Sequence, residues 1–467
     1  MLKLAAIVLA AGQGTRMKSP APKMLHPLAG RPLIYYAVRA VLDAGATDVV
    51  VVVGHGGKQV QAYLADTFGG AVRTAEQPEQ RGTGHAALMA MPALGDVENT
   101  LVVYGDAPLV EVRDLRALGA ALEGHPEAAL ALLTCVLDDP TGYGRVLRDG
   151  KGRVVGIREH RDLRTEKERA ISEVNPGFYA ARLMFLREAL GELQPNNDQR
   201  ELYLTDIVEA AAKKGGAIAL PTEPASLVGV NDRAQLAAAE SSMHRRIIER
   251  LGRAGVTFRG DPRVDDLVEI EPNATLESGV VLRGKTMIRS GAIVDVGCVL
   301  SDALIEEGAH VLPYSVVTSS RIGPRARVGP FAHLRPGSDI GEEAQIGNFV
   351  ETKKTLVRAR AKANHLSYLG DGDVGEDSNI GAGTIFCNYD GATKHKTVVG
   401  RGAFVGSDSQ IVAPVTIGEG AYVATGTTVT SDVPDDALAI GRVKQQNKPN
   451  YASKLKTKLA SKAQRAR

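Results

Sequence analysis

From Val399 to Val429 an aliphatic residue returns every six positions, at Val399, Val405, Ile411, Ile417, Val423 and Val429, with glycine following it at Gly400, Gly406 and Gly418. The same phase holds at Ile322, Val328, Leu334, Ile340 and Ile346, and at Ile270, Leu276, Leu282, Ile288, Val294 and Leu300. A six-residue period predicts a parallel β-helix. Each step is one short strand and a turn, three steps close a triangular coil, and the aliphatic side chains stack inward as a continuous apolar column. The register fails across Glu351–Tyr368, resumes at Leu369 or Val374 through Ile380 and Phe386, and fails again across Asn388–Thr397. A stacked column cannot absorb extra residues, so both stretches are expected to leave the prism at a corner as loops. They carry the side chains of a site: Lys353, Lys354, Asn364, His365 and Tyr368 in the first, Asn388, Tyr389, Asp390, Lys394 and His395 in the second. Loops on a rigid scaffold are where sites are usually built.

The first half has a different rhythm. Leu4–Ala10 is a nearly unbroken apolar run, as in a strand buried on both faces of a parallel sheet. Pro32–Leu42 repeats apolar residues at helical spacing (Ile34, Val38, Val41, Leu42) and stops at Gly45, a C-cap residue. Asp48–Val53 and Leu101–Tyr104 read as further buried strands. This alternation predicts a doubly wound, mostly parallel α/β sheet of Rossmann-like type, with ligands beyond the carboxyl ends of the strands. Between the halves, Asn231–Gly252 reads as one helix, with Leu236, Met243, Ile247 and Leu251 on a single face, best suited to joining two domains. The expected organisation is residues 1–230, a linker at 231–252, and a β-helix with a basic tail at 253–467.

Composition narrows the picture modestly. The 467 residues suffice for two or three domains, each able to bury a core. Aromatics at 4 % and the lack of Trp suit the narrow interior of a β-helix. A net charge of +2 gives no electrostatic argument for nucleic acid or membrane as a partner. Cys135, Cys298 and Cys387 are few and far apart, which argues against a disulfide framework and for the cytoplasm. Met1–Ala11 has the outline of a secretory signal, but its apolar run is short and leads straight into a glycine loop. The stretch Arg442–Arg467 carries nine basic residues and no acidic one, and is expected to be a solvated, partly disordered tail, with phosphate binding as the alternative.

That loop, Gly12-Gln13-Gly14-Thr15-Arg16-Met17, brings backbone N–H groups close to an anion, and Arg16 and Lys23 add full positive charges for a polyphosphate. Met17 stands where a dinucleotide fingerprint needs glycine, and the P-loop spacing is not met either. Gly105-Asp106 follows the strand ending at Tyr104, and a carboxylate facing phosphates is a natural magnesium ligand, a helix N-cap being the plainer reading. Gly82 and Gly84 suit either ligand approach or a structural turn.

Leu9 to Met17 with Lys23, Gln77 to Gly84, Tyr104-Gly105-Asp106, Gly142 to Arg145, Glu159-His160, Asn175-Pro176-Gly177 and Gly229-Val230-Asn231 together resemble the sugar-nucleotide pyrophosphorylases. With hexapeptide repeats downstream, the chain from about residue 4 to about residue 445 is similar to the family of bifunctional uridyltransferase–acetyltransferases, whose C-terminal domain is a left-handed β-helix. The resemblance implies acetylation of glucosamine-1-phosphate by acetyl-coenzyme A, then uridylation of N-acetylglucosamine-1-phosphate by UTP with Mg2+. It implies that Gly12, Arg16 and Lys23 handle the triphosphate of UTP, with Arg16 and Lys23 catalytic, that Leu9, Ala10 and Ala11 belong to the nucleotide- and sugar-binding set, and that Gln77, Gly82 and Thr83 read uracil. Tyr104, Gly105, Gly144, Glu159 and Asn175 would hold the sugar, and Asp106 and Asn231 the metal.

In the second half the resemblance makes Asn364 to Asp371 the acetyltransferase motif and His365 the general base. An imidazole of pKa about 6.5 suits removal of a proton from an amine that must attack a thioester. His395 is the internal competitor. Arg335, Lys353, Tyr368 and Asn379 are implied for glucosamine-1-phosphate, and Ala382, Asn388, Tyr389, Ser407, Thr425 and Arg442 for acetyl-coenzyme A. Thr425 stands where the family usually has alanine. A homotrimer with sites at subunit junctions is also implied. The rival readings are an enzyme whose β-helix serves oligomerisation or regulation, and a non-catalytic scaffold of the same two folds. The His365 loop speaks against the first, and Arg16, Lys23 and Asp106 against the second.

Overall fold

The computed structural model describes residues 3–54, 57–227 and 229–465. Two compact units follow one another along the chain, divided between Glu249 and Arg250.

In the first unit a 10-stranded sheet runs in the order Val72–Glu76, Ala46–Val53, Leu4–Ala10, Asn99–Tyr104, Tyr179–Arg182, Leu130–Val136, Glu173–Asn175, Gly144–Arg148, Val154–Arg158, with Ala217–Pro221 paired to Leu130–Val136. The first four of these are parallel to one another. Beyond Asn99–Tyr104 the strand Tyr179–Arg182 enters antiparallel. The apolar run Leu4–Ala10 lies at the centre because both its faces find cover: Ala6, Val8 and Ala10 face one apolar cluster, Ala5, Ile7 and Leu9 the other. The first crossover helix is Leu33–Asp43, ended by Ala44 and by Gly45 at a φ of 107°. Chain order reverses between Leu4–Ala10 and Asn99–Tyr104, and this switch point is where doubly wound sheets hold ligands.

The connecting helix spans Arg233–Arg253, so Asn231 and Asp232 stand outside the helix that the sequence pattern started at Asn231. Asp232 is its cap: Oδ1 accepts from the Gln235 N–H at 2.8 Å, while Gln235 Oε1 accepts from the Asn231 N–H at 2.7 Å. Met243, Ile247 and Leu251 are buried, as their spacing required.

The second unit is a prism of three parallel sheets with 11, 10 and 9 strands. Each strand pairs with the one a coil further on, and the inward column runs through Ile346, Thr352, Val357, Ala363, Leu369, Val374, Ile380 and Phe386, all buried. Burying one such aliphatic side chain contributes about 1.5–3 kcal/mol.

The break across Glu351–Tyr368 is not a loop. Strands Glu351–Lys353, Leu356–Val357, Lys362–His365 and Tyr368–Gly370 continue the three sheets without insertion. Two things hid this coil. Thr352 and Ala363 replace the inward aliphatics, and the Thr352 hydroxyl is satisfied inside the column by Ser338 Oγ at 2.8 Å. The corner after Thr352 is also a residue shorter, turned by Lys354 at a φ of 47°, and Asp371 does the same one coil on at 50°. A non-glycine residue there costs about 1–2 kcal/mol, which the stacked column offsets. The second break, Asn388–Thr397, is a true excursion: Phe386 pairs with Ile411 and Val374 with Val399, so the extra residues leave at a corner. The C-terminal tail differs from expectation as well, since Tyr451–Arg465 is a helix, exposed throughout. Among the described residues no helix is long and apolar enough to cross a membrane.

Candidate active sites

At the switch point the two strand ends are tied together: the Gly105 N–H donates to Leu9 O at 2.9 Å, and the Val230 N–H donates to Asp106 O at 2.8 Å. Asn231 is thereby delivered beside Asp106. The Lys23 ammonium, buried beneath the glycine loop, donates to Asp106 Oδ2 and to Asn231 Oδ1, the latter at 3.0 Å. Arg16 Nη2 reaches the same Asn231 oxygen at 2.9 Å. A carboxylate and an amide oxygen thus converge on one cation, which is the donor set a hard divalent ion takes. Among the described residues no three His, Cys, Asp or Glu gather to hold a metal.

The loop glycines divide the work. A Cβ on Gly12 would meet nothing, leaving open space above the backbone, whereas Gly14 takes a φ of 64° and packs against Lys23, where a Cβ would come to 2.5 Å. Gly12, Arg16, Lys23, Gln77, Gly82, Thr83, Tyr104, Asp106 and Asn231 line one cleft of about 410 Å³. Leu9, Ala10 and Ala11 are buried; Leu9 and Ala11 border the cleft, whereas Ala10 packs into the core and does not line it. Gln77 donates to Gly82 O at 3.0 Å and faces His85 at 3.1 Å. Gly82 has the structural role left open in the sequence: its φ is 104°, and a Cβ would press on Leu202 O at 2.5 Å. Gln80 spans to Ala11 O at 2.8 Å and lines the same cleft, a residue to which the sequence reading gave no role.

Glu159, Gly144 and Asn175 gather beyond Tyr104. Glu159 Oε1 accepts from the Thr205 hydroxyl at 3.0 Å, and a Cβ on Gly144 would lie 3.4 Å from that same oxygen. Asn175 donates to the Tyr179 hydroxyl at 2.6 Å and accepts from the Gly177 N–H at 3.2 Å. Burial raises the Glu159 pKa, reinforced by Asp162 and Asp206, while the Thr205 hydroxyl opposes it. An acid whose folded pKa is raised loses stability as pH climbs through its unfolded value of about 4.3, because the ionised form is the disfavoured one. Glu159→Gln is therefore expected to unfold at a higher temperature than the parent at pH 8, with the gain shrinking as pH falls toward 4. Thermal unfolding at both pH values checks this.

On the prism, His365 stands at the corner between the 11- and 10-stranded sheets, one coil above Asn348. Asn348 Oδ1 faces His365 Nδ1 at 2.7 Å. An amide oxygen accepts, so the proton sits on Nδ1 and Nε2 keeps its lone pair for an incoming proton. The same corner climbs through Ala382, Ser407 and Thr425: the Asp408 N–H bonds Ala382 O at 2.7 Å and the Gly426 N–H bonds Ser407 O at 2.8 Å. Arg442 reaches back to Thr425 O, so position 425 contributes its backbone here and the threonine side chain is not needed for the contact.

Beside that corner, on the 10-stranded face, Arg335 pairs with Glu351 at 2.8 Å, and Lys353 has its pKa lowered first by Lys394 and then by Arg335. Tyr368 OH and Asn388 Nδ2 both crowd Gly370, and Asn388 donates to Asp371 Oδ2 at 2.5 Å. Tyr389 is exposed on the excursion and donates to Gly391 O at 2.6 Å. Asn379 is not brought to this group: it lies on the 11-stranded face between Lys362 and Phe404. Lys394 was a member of the loop in sequence but had no role there. Asn348 and Asp371 lie 17 residues before His365 and Asn388, so a known coil length would have found both.

Two family models match the chain: the MobA-like NTP transferase domain over residues 6–254 and the six-repeat bacterial transferase hexapeptide over residues 396–431. The chain is 60 % identical over 467 residues to the bifunctional protein GlmU of Sorangium cellulosum, covering 99 % of this chain and 98 % of that protein. It is 49 % identical over 463 residues to the bifunctional protein GlmU of an Anaeromyxobacter species, covering 98 % and 94 %. A third, from Alkalilimnicola ehrlichii, is 45 % identical over 448 residues, covering 95 % of each.

Proposed function

We propose, for a chain that belongs to the family of the bifunctional GlmU proteins, two transfer reactions toward UDP-N-acetylglucosamine in cell-wall precursor synthesis. Acetyl-coenzyme A acetylates glucosamine-1-phosphate, and UTP then uridylates the product. We place the second reaction in residues 1–230 and the first in the left-handed β-helix that follows the connecting helix Arg233–Arg253. The observation that carries the reading is the pair of unlike centres in one polypeptide: oxygens of Asp106 and Asn231 meeting on one cation at the sheet's switch point, and His365 on a coiled prism with Asn348 Oδ1 at its Nδ1.

In uridyl transfer an oxygen of the sugar phosphate attacks the α-phosphorus of UTP, the bond to the β-phosphate breaks, and pyrophosphate leaves. The reaction calls for alignment and charge neutralisation more than for proton transfer. Arg16 and Lys23 hold phosphate oxygens, Gln77, Gly82 and Thr83 read the base, and Tyr104, Glu159 and Asn175 hold the N-acetylglucosamine portion. Asp106 and Asn231 would hold magnesium, which when bound neutralises charge on the triphosphate. Lys23, whose ammonium occupies Asp106 in this structure, would turn to the phosphates.

In acetyl transfer His365 Nε2 takes one proton of the sugar's ammonium, the amine attacks the thioester carbonyl, the carbon–sulfur bond breaks, and the coenzyme's thiolate leaves and takes up the second proton that the nitrogen loses, giving the free thiol. Arg335, Lys353 and Lys394 face the phosphate, and the corner of Ala382, Ser407, Thr425 and Arg442 with Asn388 and Tyr389 carries the coenzyme. Asn379 lies round the corner from these residues, so one chain does not present the whole set on one face. The stacked Tyr314, Phe331 and Phe349 rings, spaced 5.4 Å and half exposed, are an apolar seam at the His365 corner. Both features support a homotrimer whose neighbouring copy completes each site. The three free cysteines support a cytoplasmic location.

Purified protein supplied with glucosamine-1-phosphate, acetyl-coenzyme A, UTP and magnesium should release free thiol and pyrophosphate, both dependent on the sugar. Thiol release without the sugar, or none at all, would remove the acetyl-transfer reading.

A further inference from the structure

Asp436 is the last acidic residue of the chain, and nine cations follow it between Arg442 and Arg467. The net charge of +2 over the whole sequence therefore conceals a strongly basic end. The same end carries large apolar side chains in the open: Leu438, Ile440, Val443, Tyr451, Leu455 and Leu459 are all exposed. The last three belong to the helix Tyr451–Arg465, which is exposed along its whole length. A helix of 15 residues exposed on every side is marginal in water, so this one is complete only with a surface against it.

The order of residues around the helix selects that surface. Tyr451, Leu455 and Leu459 are spaced four apart and share one face, an arc of about 80° that Ala452 and Ala463 extend. The cations stand beside this face. Lys454, Lys458 and Arg465 follow one border and Lys456 the other, with Lys462 inside the arc in the last turn. The far side is uncharged and consists of Ser453, Thr457, Ala460, Ser461 and Gln464. Two hydroxyls there are turned onto the helix itself, Thr457 donating to Ser453 O at 3.1 Å and Ser461 to Lys458 O at 2.9 Å. A helix kept soluble by its charges carries them opposite the apolar residues. Cations that border an apolar stripe stand level with headgroup phosphates once the stripe is sunk among acyl chains, and long lysine stems let the ammonium groups reach them.

We propose that the helix Tyr451–Arg465 lies on an anionic phospholipid surface, with Tyr451, Leu455 and Leu459 at the acyl boundary and Lys454, Lys456, Lys458 and Arg465 on the headgroup phosphates. Charge complementarity chooses this partner, because the helix holds five cations and no carboxylate while such a surface is negative. Among the described residues no helix is long and apolar enough to cross a membrane, so this one rests in the plane of the surface. The inference is independent of the two transfer reactions.

The test sediments the full chain with vesicles of phosphatidylglycerol and phosphatidylethanolamine, and with vesicles of phosphatidylcholine alone, at low and high salt. Affinity should be about tenfold or more greater for the anionic vesicles and should fall as salt rises. Leu455→Gln with Leu459→Gln keeps every cation, and Lys454→Gln with Lys456→Gln and Lys458→Gln keeps every apolar residue. Each set should lower affinity for the anionic vesicles about tenfold or more, with uridyl transfer and thermal unfolding at parental values to report a folded chain. A parental chain that stays in solution with the anionic vesicles would overturn the proposal. So would a leucine variant that binds them as well as the parent, which would show attraction by charge alone to any polyanion, RNA included. A leucine variant that sediments as a smaller assembly, with vesicle binding unchanged, would set the apolar face against a second copy of this chain. A lysine variant with a raised KM for acetyl-coenzyme A and unchanged vesicle binding would give the cations to the coenzyme's phosphates, and the lipid surface would be ruled out.

Discussion

Asp106→Ala is expected to lower uridyl transfer by about 10²–10³-fold or more while leaving acetyl transfer at the parental rate. Asp106 is the carboxylate of the converging pair, and its loss removes charge stabilisation at the point where the triphosphate's charge must be met. A second effect follows from burial. The Lys23 ammonium is 8 % exposed, and without Asp106 it keeps Asn231 as a partner but no counter-charge. Breaking a buried pair can cost about 3–5 kcal/mol, so part of the loss in the alanine variant can come from local rearrangement of the glycine loop. Asp106→Asn separates the two effects, because its amide oxygen still accepts from Lys23 while the charge is gone. The two variants should be equally poor in pyrophosphate release, with the asparagine variant the more stable to heat. Pyrophosphate released at the parental rate by Asp106→Asn would show that the carboxylate charge has no part in the reaction. Loss of both activities in a folded variant would show that the centres are not independent.

His365→Ala should lose about 10²–10⁴-fold in kcat for acetyl transfer, the range that a positioned general base contributes, with uridyl transfer unaltered. The orientation of the ring is an experiment of its own. Asn348 Oδ1 fixes the proton on Nδ1, so Asn348→Ala should lower kcat in the same direction by a smaller factor, since the ring stays but its tautomer and direction are no longer set. Thiol release from acetyl-coenzyme A in the presence of glucosamine-1-phosphate measures both variants. A His365→Ala protein that acetylates as fast as the parent would move the base elsewhere. His395 would then be the next residue to replace, although its engagement by Asp390 argues for a holding role.

The two activities follow from chemistry that the sequence already carried, because their residues sit in local patterns. Hexads at Val399–Val429 and the unbroken run Leu4–Ala10 declare a solenoid and a buried parallel strand, since a period of six and a two-sided apolar strand are properties of adjacent residues. Glycine, arginine and lysine at 12, 16 and 23 and the motif around His365 were legible for the same reason. What lies far apart in the chain was joined only by the family resemblance, which paired Asn231 with Asp106. Asn231 is 215 residues from Arg16 and 208 from Lys23, and sheet order places them on shared hydrogen bonds. The coil at Glu351–Tyr368 passed for a loop because Thr352 and Ala363 fill its column and a left-handed Lys354 shortens its corner.

The sequence by itself determined the two folds and marked the glycine loop and His365 as candidates. The tertiary structure decided which residues meet: Asn348 on His365, Asp371 on Asn388, and Asn379 on a different face from Arg335. The reason is geometric. Neighbours across coils depend on how many residues each corner spends, and the step from Thr352 to Val357 is one residue shorter than that from Ile346 to Thr352, a change that the threonine in the column masks.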